Sequence, residues 1–275
     1  MQEQFFEGKK VLITGGSSGI GLELARQLQA LGSQVTLLAR DPAKLDAART
    51  SLLEIRPTDV RLIPVDVSDA NALTGALQDI ISGINLPDIL INSAGFSYPG
   101  YVEELPLEVF RSSMETNFLG TVAVTKALLP GFLARGSGHV VNLSSLAGVI
   151  GTFGYSAYGA SKFAIRGFSD VLRAEMKPRG IKVSVVFPPD TETPQLHWEA
   201  QYKPIETQIL AGSDKPLPVS LVARKILEGI AKGRYVIVPG TMAKIQYWLA
   251  THTTGLAYWI MDQLVANARK TKSRL

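Results

Sequence analysis

Three residues of this chain have the types and the spacing for proton chemistry: Ser145, Tyr158 and Lys162. On a helix, Tyr158 and Lys162 lie one turn apart on the same face. A tyrosine hydroxyl has a pKa of about 10 in model peptides, and a nearby ammonium favours the phenolate. We therefore expect Lys162 to lower the pKa of Tyr158, so that Tyr158 acts as a general acid or base near neutral pH. Because Tyr-x-x-x-Lys is common, a shared helix face without function is the alternative, and the surrounding sequence must decide.

The composition of the chain indicates its domain size and excludes several kinds of site. The 275 residues suit one domain with a large core. The absence of cysteine excludes disulfides, thiolate nucleophiles and cysteine-ligated metals. The three histidines are far apart in sequence and lack metal-ligand spacing, so we expect no metal site. We also find no nucleic-acid-binding module.

The two ends of the chain bear on localisation. The polar start, MQEQFFEGKK, predicts neither a signal peptide nor an N-terminal anchor. The net charge is +4, and much of the excess lies in residues 269–274. That basic end is either a solvated terminus or a membrane-surface contact. We expect a cytoplasmic protein, with a peripheral position on the cytoplasmic membrane face as an open alternative.

A glycine-rich segment follows the first predicted strand, Lys10–Thr14. Residues 15–21 read GGSSGIG, and a helical pattern continues from there to Leu31. In this strand–turn–helix context, glycines allow a tight turn and close approach of the backbone to a pyrophosphate. The N-terminus of the following helix offers free N–H groups to the anion. The segment predicts a dinucleotide site, and an ordinary glycine-rich loop is the alternative.

Arg40 follows the second predicted strand, Gln34–Ala39. Dinucleotide-binding folds that prefer NAD usually carry an acidic residue near this point, whereas an arginine suits the 2′-phosphate of NADP. We therefore predict NADP. The alternative is that Arg40 pairs with Asp41 or with solvent.

Strands and helices alternate along the rest of the chain, which predicts an α/β fold. The apolar strand cores indicate a Rossmann-type, doubly wound parallel sheet with helices on both faces. We predict one helix over 70–81, and another over 107–135 with a bend or break at Pro130. Ligands bind beyond the carboxyl ends of parallel strands. The residues that follow predicted strands should therefore meet at one edge: Gly15, Arg40, Asp66, Asn92, Ser145 and Pro188.

Taken together, these motifs resemble the short-chain dehydrogenase/reductase family over about residues 8–239. They are Thr14-Gly15-x-x-x-Gly19-x-Gly21, Asn92-x-Ala94-Gly95, Asn117, Ser145 and Tyr158-x-x-x-Lys162. The resemblance implies that Ser145 binds the substrate carbonyl, Tyr158 transfers the proton, and Lys162 tunes Tyr158 and holds the nicotinamide ribose. It implies that Asn117 positions a water. The spacing to Tyr158 favours Ser145 over Ser144 as the active serine.

The resemblance also implies a set of residues that bind NADP(H), with Asp66 facing the adenine and Asn92 ordering the central strands. The set is Gly15, Ser17, Ser18, Gly19, Ile20, Gly21, Arg40, Asp66, Val67, Asn92, Ala94, Gly95, Tyr158, Lys162, Pro188, Thr191 and Thr193. Two positions depart from the family pattern: Ser93 replaces an asparagine, and Pro189 replaces a glycine. Because proline fixes φ and lacks an N–H, we expect a differently shaped loop over the nicotinamide.

One branch is especially similar, the 3-ketodihydrosphingosine reductases. The similarity rests on Leu38-Ala39-Arg40, on residues 161–167 and on the run Phe-Pro-Pro-Asp-Thr-Glu-Thr-Pro at 187–194. It implies NADPH-dependent reduction of a long-chain ketone in sphingolipid synthesis. The alternatives are another carbonyl or alcohol (a 3-ketoacyl thioester, a steroid or a retinoid) or a non-catalytic nucleotide-binding scaffold. The family also implies a homodimer or homotetramer through the long helices that carry Asn117 and Tyr158.

The last part of the chain is apolar and aromatic. Residues 245–265 include Trp248, Tyr258 and Trp259, but their polar residues make a membrane-spanning helix a poor interpretation. Either the segment lies in the headgroup region of a membrane, or it packs on the substrate cleft or another subunit. We assign residues 1–240 to a NADP-binding catalytic domain and 241–275 to a C-terminal helical tail. The segment His197-Trp198-Glu199 should form part of a lid over the substrate.

Overall fold

The computed structural model describes residues 2–83, 85–212 and 215–273, and these form an α/β fold around one parallel sheet. The seven strands have the order β3-β2-β1-β4-β5-β6-β7, and all pairs are parallel. This confirms the doubly wound sheet predicted from the sequence. The strands are β1 (Lys10–Thr14), β2 (Gln34–Ala39), β3 (Arg61–Pro64), β4 (Ile89–Asn92), β5 (Gly138–Leu143), β6 (Ile181–Val186) and β7 (Val236–Ile237).

Helices cover both faces of the sheet, because its central strands are apolar on both sides. Every residue of β4 is buried, and separate apolar clusters pack on the two faces. The helices are α1 (Gln2–Phe6), α2 (Gly19–Ala30), α3 (Pro42–Leu53), α4 (Ala70–Ala76), α5 (Gln78–Ile81), α6 (Leu107–Ser113), α7 (Gly120–Arg135), α8 (Ser156–Met176), α9 (Pro194–Glu199), α10 (Ile205–Ala211), α11 (Val219–Ala231), α12 (Thr241–His252) and α13 (Thr254–Lys272).

Two of the predicted helices differ from the structure. The helix predicted over 70–81 is divided at Leu77 into α4 and α5. For the helix over 107–135, the sequence predicts a bend or a break near Pro130. A break is wrong, because α7 continues past Pro130 to Arg135. The irregular part of that helix is instead a π-helical turn, Met114–Leu119, between α6 and α7. Such turns are rare and often occur at functional sites.

Within the described ranges, one helix is long and apolar enough to cross a membrane by length and composition alone, Leu107–Arg135. Its residues Val124, Leu128 and Phe132 have no exposed surface and pack in the cluster on one face of the sheet. The apolar character of this helix is therefore explained by its place in the core.

The apolar segment over 245–265 forms parts of two helices rather than one. It is interrupted at Thr253, between α12 and α13. Ala250 and Ala257 pack in an apolar cluster with Val185 and Phe187, next to the end of β6. The two helices therefore lie against the carboxyl edge of the sheet. The division into a domain over 1–240 and a tail over 241–275 stays a prediction.

Candidate active site

The glycine turn between β1 and α2 brings two backbone segments into contact. Gly15 has a φ of +66°, and its N–H donates to the Leu38 carbonyl at 2.8 Å. A Cβ atom on Gly15 would lie 2.8 Å from the Cα atom of Ala94, and one on Gly21 would lie 2.4 Å from the Gly15 carbonyl oxygen. Only glycine fits at these positions. The Ser18 side chain forms no capping hydrogen bond, so the first N–H groups of α2 are available to an anion.

Asn92 lies between the central strands and does not line the cavity described below. Its Nδ2 donates to Asn142 Oδ1 at 2.9 Å and to Thr125 Oγ1 at 3.0 Å. Asn142 in turn donates to Ser169 Oγ of α8 at 2.9 Å. This buried chain of hydrogen bonds ties β4 to β5 and to the helix that carries Tyr158. Asn142 was not predicted from the sequence, although a polar residue inside the apolar strand β5 is a signal of such a role.

Arg40 lies at the end of β2 with a side chain that is 68% exposed. Its Nη1 atom lies 3.4 Å from Asp66 Oδ2, whereas Asp41 caps α3 by accepting from the Lys44 N–H. Partial burial raises the pKa of Asp66, but hydrogen bonds from Ser68 and the Arg40 charge outweigh that effect, so the net pKa is lowered. Arg40 and Asp66, which are predicted to bind the adenosine half of the cofactor, are therefore neighbours. The Arg40 side chain projects into solvent, where a 2′-phosphate could reach it.

Ser145, Tyr158 and Lys162 meet where β5 and α8 face each other. The Ser145 hydroxyl is hydrogen-bonded to the Tyr158 hydroxyl, and Lys162 Nζ lies 5.5 Å from the centroid of the Tyr158 ring. The hydroxyl of Ser144 instead donates to the Lys162 carbonyl at 2.8 Å in the protein interior. Of the two adjacent serines, Ser145 is thus the one whose hydroxyl faces Tyr158.

The predicted lowering of the Tyr158 pKa is wrong for this structure. Burial raises the pKa of Tyr158, the charges of Glu199 and Asp190 raise it further, and the Ser145 hydrogen bond only partly opposes them. The Lys162 ammonium, whose Nζ donates to the Leu143 carbonyl at 2.9 Å, does not reverse this shift. Tyr158 is therefore a neutral phenol at physiological pH, which is the form that can donate a proton.

The rate of a reaction in which Tyr158 donates its proton should decrease as pH rises through about 8. Burial lowers the pKa of Lys162 to about 8, so Lys162 loses its charge above that value while Tyr158 remains protonated. An uncharged Lys162 cannot stabilise the phenolate that forms. We expect kcat/KM to fall about tenfold per pH unit above this point, measured from initial rates at saturating cofactor. A flat profile through about pH 9, with cofactor binding unchanged, would contradict this assignment of Lys162.

Asn117 lies inside the π-helical turn and is completely buried. Its Nδ2 donates to the Phe96 carbonyl and to Ser161 Oγ, and its Oδ1 accepts from the Phe96 N–H at 2.9 Å. A Cβ atom on Gly95 would lie 3.0 Å from Asn117 Oδ1 and 3.5 Å from Lys162 Nζ, so this glycine leaves room for both groups. Asn117 therefore joins the segment after β4 to α8 next to Lys162.

The loop after β6 covers the glycine turn. The Thr193 hydroxyl accepts from the Leu196 N–H and caps α9, and the Thr193 methyl group would lie 3.6 Å from a Cβ atom on Gly19. The Thr191 hydroxyl donates to the Pro189 carbonyl at 2.8 Å, and Thr191 pairs with Leu217 in an isolated parallel bridge. These contacts hold the loop with its two prolines in one shape.

A cavity of about 900 Å³ joins these elements. The predicted site residues that line it are Gly15, Ser18, Gly19, Ile20, Gly21, Gly95, Ser145, Tyr158, Lys162, Pro188, Thr191 and Thr193. Those that do not line it are Ser17, Arg40, Asp66, Val67, Asn92, Ala94 and Asn117. Val67 is buried against Gly120. Among the cavity residues that were not predicted from the sequence are Tyr155, Asp190 and Thr207.

Helices α12 and α13 form the apolar wall of the cavity, through residues such as Leu249, Ile260 and Leu264. The end of α13 is held by Lys272, whose Nζ donates to Tyr101 Oη at 2.9 Å and to Glu206 Oε1 at 3.1 Å. The Glu206 side chain is buried and also accepts from Tyr101 Oη. The predicted packing of the C-terminal segment on the cleft is therefore what the structure shows.

The predicted lid segment is the helix α9. Trp198 packs against the rings of Tyr98 and Tyr202, and Glu199 points to the inside of the cavity. Leu196 and Glu199 of this helix line the cavity, and its role as a lid stays a prediction.

Comparison with known proteins places this site in a family. Residues 9–202 match the family model of short chain dehydrogenase. The chain is 35% identical to the 3-dehydrosphinganine reductase of Danio rerio, over 91% of this chain and 76% of the relative. It is also 35% identical to the Dehydrogenase/reductase SDR family member 7B of Bos taurus, over 95% of this chain and 83% of the relative.

A solved structure agrees with this family. The short-chain dehydrogenase of Sphingobium yanoikuyae in complex with NADPH superposes with a TM-score of 0.77 at 28% identity, over 90% of this chain and 94% of that one. The matched residues include the glycine turn and the Ser145, Tyr158 and Lys162 positions. The chain therefore belongs to the short-chain dehydrogenase family.

Proposed function

We propose that this protein is an NADPH-dependent reductase of a long-chain ketone, with 3-ketodihydrosphingosine as its substrate and dihydrosphingosine as its product. The observation that carries the proposal is the cavity, which runs from Ser145, Tyr158 and Lys162 to the apolar wall of α12 and α13. A polar reactive end and an apolar remainder suit a ketone at the head of an alkyl chain. A relative of similar sequence has the name 3-dehydrosphinganine reductase, which supports the same substrate.

The chain has the features that a dinucleotide requires. The free N–H groups at the start of α2 would hold the pyrophosphate, and the Ala94 backbone leaves no room for a side chain on Gly15 in the turn. The loop with Thr191 and Thr193 would cover the nicotinamide half. When bound, NADPH supplies the hydride.

The residues of the chain would supply the proton and the electrostatics. Tyr158 donates the proton of its Oη to the carbonyl oxygen, and the Ser145 hydroxyl donates a hydrogen bond to the same oxygen as charge develops there. The Lys162 ammonium stabilises the phenolate that Tyr158 becomes. Asn117 is a positioning residue, because its contacts fix Ser161 and the segment after β4 next to Lys162.

Replacing Arg40 by alanine should weaken NADPH binding and leave NADH binding nearly unchanged. In this proposal, the exposed guanidinium binds the 2′-phosphate, which NADH lacks. The loss of one charge-assisted contact corresponds to roughly a 10- to 100-fold increase in Kd for NADPH. Both affinities can be measured by titration of cofactor fluorescence. Equal losses for the two cofactors would mean that Arg40 acts through Asp66 and the fold instead.

A panel of carbonyl compounds tests the proposed activity. The loss of NADPH absorbance would be followed with 3-ketodihydrosphingosine, a 3-ketoacyl thioester, a steroid ketone and retinal, and each assay would be repeated with NADH. We expect the highest kcat/KM with 3-ketodihydrosphingosine and NADPH. A strong preference for the thioester would contradict the substrate, and NADPH binding without turnover of any carbonyl would favour a nucleotide-binding scaffold.

We further propose that the outer face of α12 and α13 binds the surface of a lipid bilayer. Trp248 and Trp259 are 53% and 60% exposed, and Met242, Ile245 and Tyr258 are exposed with them. Basic residues lie on the same two helices, at Lys244 and at the end of α13. Aromatic and aliphatic side chains next to basic groups are typical of helices that lie in the headgroup region. This position would bring the cavity wall close to a membrane-dissolved substrate.

A double replacement of Trp248 and Trp259 by alanine should weaken binding to vesicles roughly tenfold or more, because both large apolar side chains would leave the interface. Co-sedimentation with vesicles of phosphatidylcholine and phosphatidylserine measures this. The matched control is Val171→Ala, which removes an exposed apolar side chain from α8. Equal binding of the parent, the double variant and the control would contradict the proposed surface.

The homodimer or homotetramer implied by the family stays a prediction. Exposed apolar side chains on the long helices, at Leu119 and Phe163, support it.

A further inference from the structure

Two carboxylates lie in the part of the cavity that contains Tyr158. Asp190 follows β6 and the two prolines, and Glu199 ends α9. Both line the cavity. A negative charge at this place opposes the proposed chemistry, because the carbonyl oxygen and the phenol both become more negative during reduction. The role of these two groups therefore needs an explanation.

Glu199 is already paired within the protein. Its Oε1 lies 3.5 Å from Lys203 Nζ and accepts a hydrogen bond from Tyr155 Oη at 3.1 Å. The side chains of Glu199 and Lys203 are each only 7% exposed. A buried pair of this kind compensates its own charge. Glu199 therefore has no need of a charged ligand.

Asp190 differs from Glu199 because, in the part of the chain that the structure describes, its carboxylate has no hydrogen-bond or ion-pair partner. Burial raises the pKa of Tyr155, Tyr158 and Glu199, and the Asp190 charge raises it further in all three groups. The carboxylate thus acts on three ionisable groups around the proposed reaction centre, Tyr155, Tyr158 and Glu199.

The backbone holds Asp190 firmly in this position. Its carbonyl accepts from the Leu217 N–H at 2.9 Å, and the Glu192 N–H donates to the Leu217 carbonyl at 2.9 Å. Pro189 fixes φ immediately before it. Asp190 is also exposed, so this unpaired carboxylate lies on an ordered wall of the cavity where a ligand can reach it.

A cation in the ligand would offset this charge. The proposed substrate carries a primary amine on the carbon next to the ketone, and this amine is an ammonium when protonated. We propose that the Asp190 carboxylate binds the ammonium group of an α-amino ketone and so selects this class of substrate. This assignment rests on the proposed function and names the group that would distinguish the substrate from other long-chain ketones. Ser145 and Tyr158 bind the carbonyl oxygen, and Asp190 binds the group one carbon away.

The test compares Asp190→Asn with the parent on two ketones. One is 3-ketodihydrosphingosine, and the other is the same chain with hydrogen in place of the amino group. The matched control is Glu192→Gln, which removes one negative charge from the same loop at an exposed position outside the cavity. The thermal midpoint and the NADPH affinity of each variant show whether the fold and the cofactor site are intact.

We expect Asp190→Asn to lower kcat/KM for the amino ketone roughly 10- to 100-fold, mainly through KM, because a charge-assisted hydrogen bond is lost. The kcat/KM for the amine-free ketone should not fall, and any rise would come only from removal of the opposing Asp190 charge. Glu192→Gln should behave as the parent. Equal losses on both ketones, or no loss on either, would overturn the role of Asp190 and leave the reductase activity standing. A parent enzyme inactive on the amino ketone would instead overturn the proposed function and this inference with it.

Discussion

Replacing Tyr158 by phenylalanine is expected to lower kcat for ketone reduction by roughly 10²- to 10⁴-fold, because the variant lacks the proton donor while the ring keeps its packing. Tyr155, which also lines the cavity, donates its hydroxyl to Glu199 Oε1 instead. Initial rates at saturating NADPH and ketone measure the loss. The Kd for NADPH, from fluorescence titration, should change little.

The control for this result is Tyr235→Phe. Tyr235 Oη donates to the Asp170 carboxylate, and Tyr235 does not line the cavity. Its replacement removes a tyrosine hydroxyl without touching the proposed site. We expect Tyr235→Phe to retain parental kcat. A Tyr158→Phe variant with parental turnover would show that another group donates the proton.

Replacing Gly21 by alanine should weaken NADPH binding by more than tenfold and lower the free energy of unfolding by about 1–3 kcal/mol. The added Cβ would lie 2.4 Å from the Gly15 carbonyl oxygen, a backbone atom that cannot move without opening the turn. Moving the turn also moves the N–H groups proposed for the pyrophosphate. Denaturant unfolding and cofactor titration measure the two effects.

Gly167→Ala is the matched control, because Gly167 is also a helical glycine but has no atom within 4 Å of its added Cβ. Alanine is the better helix former by about 0.5–1 kcal/mol, so this variant should be slightly more stable than the parent. Opposite signs at the two glycines are the expected result. Equal small gains at both would mean that the turn relaxes around a side chain at Gly21.

The pKa values of Tyr158 and Lys162 depend on where the fold places each side chain. Tyr158 and Lys162 have the spacing for mutual influence, yet the nearest acceptor of the Lys162 ammonium is the Leu143 carbonyl. Burial therefore dominates both groups: it raises the pKa of Tyr158 and lowers that of Lys162. As a result, Lys162 can lose its proton near the upper end of the physiological pH range, whereas Tyr158 keeps its proton throughout that range. A raised phenol pKa favours the direction in which Tyr158 gives its proton to a ketone.

The sequence by itself determined the fold class and the family. Alternating apolar strands and amphipathic helices are local patterns, and a parallel sheet necessarily brings the carboxyl ends of its strands together. The glycine turn, Ser145, Tyr158 and Lys162 are recognisable for the same reason, because each sits at a fixed place relative to a strand or helix. The π-helical turn at Asn117 was missed because it has no periodicity of its own.

Only the tertiary structure decided what surrounds those residues. The raised pKa of Tyr158 comes first from burial and then from the charges of Glu199 and Asp190, which are 41 and 32 positions away in sequence and meet it only in the fold. The apolar cavity wall was also decided by the tertiary structure, because residues 245–265 have a composition that suits a membrane surface and a cleft equally well. The ion pair between Lys272 and Glu206 holds the inner face of α13 against the cleft. Long-range contacts set electrostatics and packing partners, and no local pattern of residues encodes them.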